Sequence, residues 1–370
     1  MRKISTLTRY GFARVVAFIL ALVMLGAGLA SLFIKPSLAV QAKAYGYSYD
    51  THNTTSSGMC VIDVDSGRIL YEKNMNKTMG MASTTKIVTV ITILEFCEKN
   101  GINLDEKITI NDLAVGIEGS SIYLRKGERL TRRELLYGLM LRSGNDTAVA
   151  LALSVAESVD KFAEMMNEFA RGLNLSNFSF KNPHGLDHAE HFISAHDLAV
   201  ISAYAMKNED FKKIVSTKQI RVGEGESTRL LNNKNKLLKN LDGCVGVKTG
   251  FTKKCGRCFV GAREVNGATT VCVVLNCPSM WEDSSALLRA AESEFTQTEI
   301  VYADEIISDE FGVRALAAEA FIYPLSAGER ERISFEINQI SKGKDGAQNG
   351  EIIIELGGEE IGAVGCVLVK

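Results

Sequence analysis

The sequence predicts an α/β (α+β) protein with a separate, β-rich C-terminal domain, and three observations carry that expectation. Helical periodicity dominates from Ser83 to Lys207. From Val245 the pattern changes to short runs rich in β-branched residues. The chain has 370 residues, more than one hydrophobic core usually supports, so two domains are expected.

The first 44 residues stand apart. Arg2, Lys3, Arg9 and Arg14 precede an apolar run from Val15 to Ile34, and Ala42-Lys43-Ala44 follows. A basic start, an apolar run and a small-x-small site make a secretory signal. The run is also long enough to cross a bilayer of ~30 Å as a helix, so an uncleaved N-terminal anchor is the alternative. In both cases the basic end stays inside and the remainder is exported to the cell envelope. Residues 45–57 are polar and read as a linker.

Val61 to Tyr71 reads as two strands around an Asp65-Ser66-Gly67 turn. Ser83 to Glu98 carries apolar residues at Ile87, Val88, Val90, Ile91, Leu94 and Phe96, as in a helix buried over most of its surface. Thr131 and Glu134 form a capping box for a helix to about Leu141, with Gly144 as a stop. Further helices are expected over Thr147–Ala156, Lys161–Gly172 and Ala195–Lys207. Val245–Thr249, Cys258–Arg263 and Thr269–Leu275 read as strands, the last two joined by an Asn266-Gly267 hairpin turn. A helix over Ser284–Phe295 closes residues 58–295. Residues 297–370 hold the β-branched runs Ile333–Ile337, Glu351–Leu356 and Ile361–Val369, which make the separate β domain.

Composition narrows the function. Apolar residues make up 46% of the chain and charged residues 23%, as in an ordinary globular protein. Without residues 1–44 the chain keeps 36 basic against 44 acidic residues, a formal charge of −8. An acidic exported protein without a basic stripe is not a nucleic-acid binder. All eight cysteines follow the leader, and several lie in strand-like runs where a free thiol acts as a small hydrophobe. Cys255 and Cys258 have CxxC spacing, but no second pair completes a zinc site. His184, His188, His191 and His196, with Asp187 and Asp197, match no zincin spacing, so no metal or other cofactor is expected.

Three short motifs carry the chemistry: Ser83-Thr84-Thr85-Lys86, Ser143-Gly144-Asn145 and Lys248-Thr249-Gly250. At a helix start, positions i and i+3 share a face, so the Lys86 amine can reach the Ser83 hydroxyl. A serine attacks only when a base takes its proton, and lysine is a base only when burial or a neighbouring cation lowers its pKa. Lys248 is a candidate for that cation. The SxxK spacing recurs at Ser158–Lys161 and Ser341–Lys344, both after the middle motif, and these are read as coincidence. By themselves, Ser83 reads as a helix cap, the middle motif as a turn, and Lys248 as a charge on an edge strand. Together and in order they form the set found in penicillin-binding proteins and class A β-lactamases.

Over roughly residues 58–295 the chain resembles the low-molecular-mass serine D-alanyl-D-alanine carboxypeptidases, which are penicillin-binding proteins. Leu70–Asn74, Ala82–Lys86, Gly119–Ser121, Leu141–Asp146, His184–Asp187 and Asp242–Gly250 carry the resemblance. It implies the penicillin-binding/β-lactamase-like transpeptidase fold, an antiparallel sheet flanked by helices with a helical subdomain. It implies Ser83 as acylated nucleophile, Lys86 as its base and Ser143 in the proton relay. Asn145 would meet the substrate backbone, and Lys248 and Thr249 its terminal carboxylate. Gly250 would admit close approach, and the N–H groups of Ser83 and Phe251 would form the oxyanion hole. The implied substrate is the peptidoglycan stem peptide ending in D-Ala-D-Ala, with β-lactams as covalent inhibitors. Phe251 departs from the histidine often found there, and the chain ends at Gly365–Lys370 in a strand-like run rather than an amphipathic helix. Membrane attachment would then come only from the N-terminus.

Two alternatives stand beside this reading. A class A-like β-lactamase needs a deacylating glutamate, and no Glu-x-x-x-Asn element occurs in residues 174–187. A non-catalytic wall-binding or sensor module of the same fold should have lost a motif residue, and none is missing.

Overall fold

The computed structural model describes residues 53–342 and 348–369, with side chains at 340–342 left aside. The expected leader, most of the linker and Lys344 lie outside the described residues.

Five antiparallel strands form the central sheet, in the order Cys244–Thr252, Gly256–Val265, Ala268–Leu275, Gly58–Asp63 and Ile69–Lys73. The first strand in the chain therefore pairs with the last of the three-strand meander, Cys60 opposite Val273. Side chains alternate between two cores. Cys60, Ile62, Val260, Val271 and Val273 face the helical side with Ile87, Ile91 and Leu198. Met59, Val61, Phe259, Cys272 and Val274 face Leu287, Leu288 and Ala291 of the Met280–Glu294 helix. A sheet covered on both faces needs apolar residues at every position of a central strand, and all six residues of Gly58–Asp63 are buried. Asn266 and Gly267 both take positive φ, 52° and 82°, as the two-residue hairpin turn requires.

The expected helices form, with shifted ends. Thr85–Lys99 follows a 3-10 turn at Ala82–Thr84 and is buried from Thr85 to Leu94, which accounts for apolar residues on all its sides. Arg132–Leu141 opens with the Thr131/Glu134 capping box. The next helix spans Asn145–Leu153 rather than 147–156. Val159–Gly172 and Ala195–Met206 follow, capped by Ser158 and Ser194. Met280–Glu294 begins four residues before the expected Ser284. Glu209–Ser216, capped by Asn208, was not expected; it is short and its apolar face is only Phe211, Ile214 and Val215.

A C-terminal β domain begins with Thr296–Val301, paired with Phe321–Leu325. Its main sheet runs Ile306–Ser308, Arg314–Ala317, Glu359–Val369, Gln348–Leu356 and Ile333–Lys342. The three long strands coincide with the β-branched runs. The four short ones are broken by turns at Asp304 and Gly312 and show no alternation long enough to read. This sheet has its own core, with Val301, Ile337, Ile352, Ile354 and Val364. Arg68, from the turn between the two N-terminal strands, reaches into it. Its guanidinium forms two bonds to Glu329, 2.6 and 2.9 Å, and lies over the rings of Phe295 and Tyr323.

Candidate active site

Ser83 sits at the turn where the edge of the sheet meets the buried helix. Ala82, just before it, takes φ 48°, a left-handed conformation that costs a non-glycine residue strain. Local bonds hold it there: Thr84 Oγ1 donates to the Met81 carbonyl and Thr85 Oγ1 to the Ala82 carbonyl, each at 2.7 Å. His191 supports the same turn. Its Nδ1 accepts from the Lys181 amide at 3.0 Å, so Nε2 carries the proton and donates to Thr85 Oγ1 at 2.8 Å. Gly185 lies so close that a Cβ on it would stand 2.0 Å from the Ala82 oxygen.

Lys86 is fully buried, and its Nζ has three neighbours: Ser83 Oγ at 3.0 Å, Asn145 Oδ1 at 2.7 Å and the His184 carbonyl at 2.5 Å. Burial, and then the charge of Lys248, push its pKa well below the usual lysine value. The two carbonyl oxygens can only accept. A neutral amine must therefore spend its two hydrogens on them, and its lone pair faces the one partner with a proton to give, Ser83.

The middle motif closes the other side. Ser143 takes φ 64°, and its Oγ accepts from Lys248 Nζ at 3.1 Å. Lys248 also donates to the Thr249 carbonyl at 2.9 Å. It is almost wholly buried, and burial, followed by the Lys234 charge, lowers its pKa to about 7. Asn145 Nδ2 donates to the Glu118 carbonyl at 2.6 Å, which leaves one amide hydrogen for a ligand. Lys248, Thr249 and Gly250 lie on Cys244–Thr252, the edge strand, whose free side faces the cleft. Gly250 backs directly onto the Ser83 turn, and Phe251 beyond it is 64% exposed at the lip.

The structure thus gathers Ser83, Lys86, Ser143, Asn145, Lys248, Thr249, Gly250 and Phe251 around one cleft. The Ser158–Lys161 pair lies elsewhere: Ser158 caps a helix and Lys161 pairs with Glu164. The four histidines do not converge, and among the described residues no three metal-ligating side chains are gathered. His191, held at the buried turn, has its pKa lowered to about 4 by burial. All eight cysteines are free thiols.

Several contributors were given no role in the site from sequence. Lys234 Nζ donates to Ser120 Oγ at 3.0 Å, and its charge depresses both buried lysines. It sits in a polar run, Asn232 to Asn235, that carries no motif. The Asp146 carboxylate accepts from Ser121 Oγ at 2.6 Å and from the amides of Ile122 and Leu124 at 3.1 Å, fixing the wall beside Asn145. Asp187 accepts from Thr252 at 2.8 Å and so ties the 184–187 loop to the strand that carries Lys248.

Known proteins resemble this chain in sequence and in fold. A family described as D-alanyl-D-alanine carboxypeptidase matches residues 46–279. The chain is 34% identical over 240 residues to the D-alanyl-D-alanine carboxypeptidase DacF of Bacillus subtilis, covering 65% of this chain and 62% of that protein. The chain thus spans less than two thirds of that relative's length. It is 33% identical over 247 residues to the D-alanyl-D-alanine carboxypeptidase of Streptomyces sp. K15, covering 62% and 81%. Penicillin-binding protein 5 from Haemophilus influenzae superposes with a TM-score of 0.73 at 24% identity, over 88% of this chain and 99% of that one, and shows the shared fold.

Proposed function

The chain belongs to the D-alanyl-D-alanine carboxypeptidase family, and from that premise we propose that it removes the terminal D-alanine of peptidoglycan stem peptides through an acyl-enzyme on Ser83. The observation that carries the proposal is the Lys86 amine: buried, depressed in pKa, and 3.0 Å from Ser83 Oγ with its other two contacts restricted to acceptors.

Neutral Lys86 takes the Ser83 proton as Oγ attacks the carbonyl carbon of the penultimate D-alanine. The N–H groups of Ser83 and Phe251 receive the oxyanion, reinforced by the helix N-terminus behind Ser83. Lys86, through Ser143, returns the proton to the leaving amine; the C–N bond breaks and D-alanine departs. Lys86 then takes a proton from water, whose oxygen attacks the ester carbon and frees Ser83. Asn145 orients the peptide with its remaining amide hydrogen. Lys248, protonated, and the Thr249 hydroxyl hold the terminal carboxylate.

A β-lactam presents a carboxylate and a strained amide to the same groups and acylates Ser83. Without a deacylating glutamate in residues 174–187, that ester is long-lived. We assign the chemistry to residues 58–295 and none of it to 297–370. The protein acts outside the cytoplasm, exported by residues 1–44. Among the described residues no helix is long and apolar enough to cross a membrane. If residues 1–44 stay uncleaved, we assign membrane attachment to them.

The test compares peptide acids and their C-terminal amides. The charge-assisted bond at Lys248 and Thr249 is worth ~1.5–3 kcal/mol. Amidation should therefore lower kcat/KM by about tenfold or more. Thr249→Val should slow the acid and hardly alter the amide. Equal ratios in both enzymes would remove Thr249 from carboxylate recognition.

A further inference from the structure

One wall of the cleft is irregular chain. Residues 118–124 lie outside any helix or strand, and their main-chain groups are held by Asn145, Asp146 and Arg229. Asn145 takes the first part: its Nδ2 donates to the Glu118 carbonyl and its backbone amide to the Ser120 carbonyl, both at 2.6 Å. Asp146 takes the amides of Ile122 and Leu124. Arg229 takes the carbonyls: its Nε donates to Ile122 O at 2.7 Å and its Nη2 to Tyr123 O at 3.0 Å. The guanidinium is itself fixed by a bidentate pair with Glu128, 2.5 and 2.8 Å, with side chains 16% and 4% exposed. Tyr123 takes φ 62°, a left-handed conformation that a bulky residue keeps only when its surroundings over-determine it. Among the described residues Arg229 bonds Ile122, Tyr123, Ser227 and Glu128, none of them a motif residue.

We infer that Arg229 is a positioning residue for Asn145: by clamping the carbonyls of Ile122 and Tyr123 against Glu128, it sets the wall whose Glu118 carbonyl decides how the Asn145 amide is turned. A carbonyl only accepts, so it draws Nδ2 and leaves Oδ1 facing Lys86 Nζ at 2.7 Å. With Oδ1 there, the Lys86 amine donates a hydrogen to it and keeps its lone pair for Ser83. With the amide reversed, its NH2 would face Lys86 and compete with Ser83 for that lone pair. The approach leaves no slack. Gly119, at φ 90°, sits so near that a Cβ on it would stand 2.8 Å from Asn145 Nδ2. A wall that retreats by about an ångström takes the 2.6 Å bond out of hydrogen-bond range. Asp146 holds only amides of this wall and Arg229 only carbonyls, so neither replaces the other.

This role rests on Ser83 as the acylated residue, and the test separates the two. Arg229→Lys keeps the charge opposite Glu128 but replaces the planar fork by a single ammonium, which cannot serve Glu128 and both carbonyls in that geometry. Acylation rate constants for penicillin are measured in wild type, Arg229→Lys, Asn145→Ala and the Asn145→Ala/Arg229→Lys double variant. Slow reactions are followed by intact mass over hours, and melting temperatures are recorded alongside. Arg229→Lys should acylate about tenfold more slowly than wild type. In the Asn145→Ala background the same substitution should change the rate by less than about twofold, because the amide it orients is gone. A role confined to stability would slow both backgrounds by the same factor. Arg229→Gln combined with Glu128→Gln removes both charges together, so neither is left buried alone, and should slow acylation as Arg229→Lys does. An equal factor in both backgrounds overturns the inference, and so does a wild-type rate in Arg229→Lys or in the charge-free pair. A wild type that penicillin does not label overturns instead the reading of Ser83.

Discussion

A Cβ added to Gly250 would stand 3.1 Å from the Ser83 amide nitrogen. The same atom would lie 3.0 Å from the Met81 carbonyl oxygen and 3.1 Å from the Thr84 amide. The edge strand and the nucleophile turn therefore touch backbone to backbone, with no side chain between them. The glycine of this motif is demanded by that approach; its φ is not in the left-handed region.

Gly250→Ala places a methyl against the amide that receives the oxyanion. Loss of one oxyanion donor typically costs on the order of 10²–10³ in rate. A crowded donor that can retreat a few tenths of an ångström should cost less, on the order of tenfold or more in the acylation rate constant. Stopped-flow acylation with a reporter penicillin measures it. Circular dichroism should show an intact fold.

The pH dependence follows from the two buried lysines. Acylation needs Lys86 neutral, so kcat/KM should rise with pH through the lowered pKa of Lys86. Carboxylate binding needs Lys248 charged, so kcat/KM should fall as its proton is lost near pH 7. The two titrations are coupled, and the limbs belong to the pair. A bound carboxylate favours the charged form of Lys248, which moves the alkaline limb of kcat above that of kcat/KM. Lys234 depresses both lysines; Lys234→Met should therefore shift both limbs to higher pH. A profile unchanged by Lys234→Met would show that its charge does not reach the site.

Arg68 and Glu329 join the two sheets through a buried ion pair, with side chains 5% and 1% exposed. Removing one partner of such a pair costs about 3–5 kcal/mol, because the other charge is left buried alone. Glu329→Ala should lower the melting temperature accordingly. Below that temperature, acylation of Ser83 per folded molecule should match wild type, since no motif residue touches the pair. Reduced acylation in the folded variant would show that the β domain shapes the cleft.

Much of this was legible in the sequence for identifiable reasons. The Thr131/Glu134 box, the Asn266-Gly267 turn and the apolar strands around Cys60 and Val273 are local signals whose physics is complete within a few residues. The three motifs were legible through their order. What stayed hidden depends on distant contacts. Lys234 and Asp146 act through partners up to 114 and 25 residues away, Ser120 and Ser121. Asn145 reads from sequence as meeting the substrate, and only the fold shows that its side chain also bonds Lys86 and the Glu118 carbonyl. Cys255 reads as half of a CxxC pair in the sequence, and only the fold brings it against Gly80 and Asp187. The short strands from Thr296 to Leu325 gave no period long enough to recognise.

The central claim is that Ser83, activated by Lys86, becomes acylated. Mass spectrometry of the intact protein after reaction with a fluorescent penicillin, followed by peptide mapping, tests it most directly. The expected result is one adduct per chain, on the peptide carrying Ser83, persisting long after free drug is removed and absent in Ser83→Ala and Lys86→Ala. An adduct that survives in Ser83→Ala, or maps to Ser158 or Ser341, would contradict the assignment, and rapid repeated turnover of the drug would make the protein a β-lactamase instead.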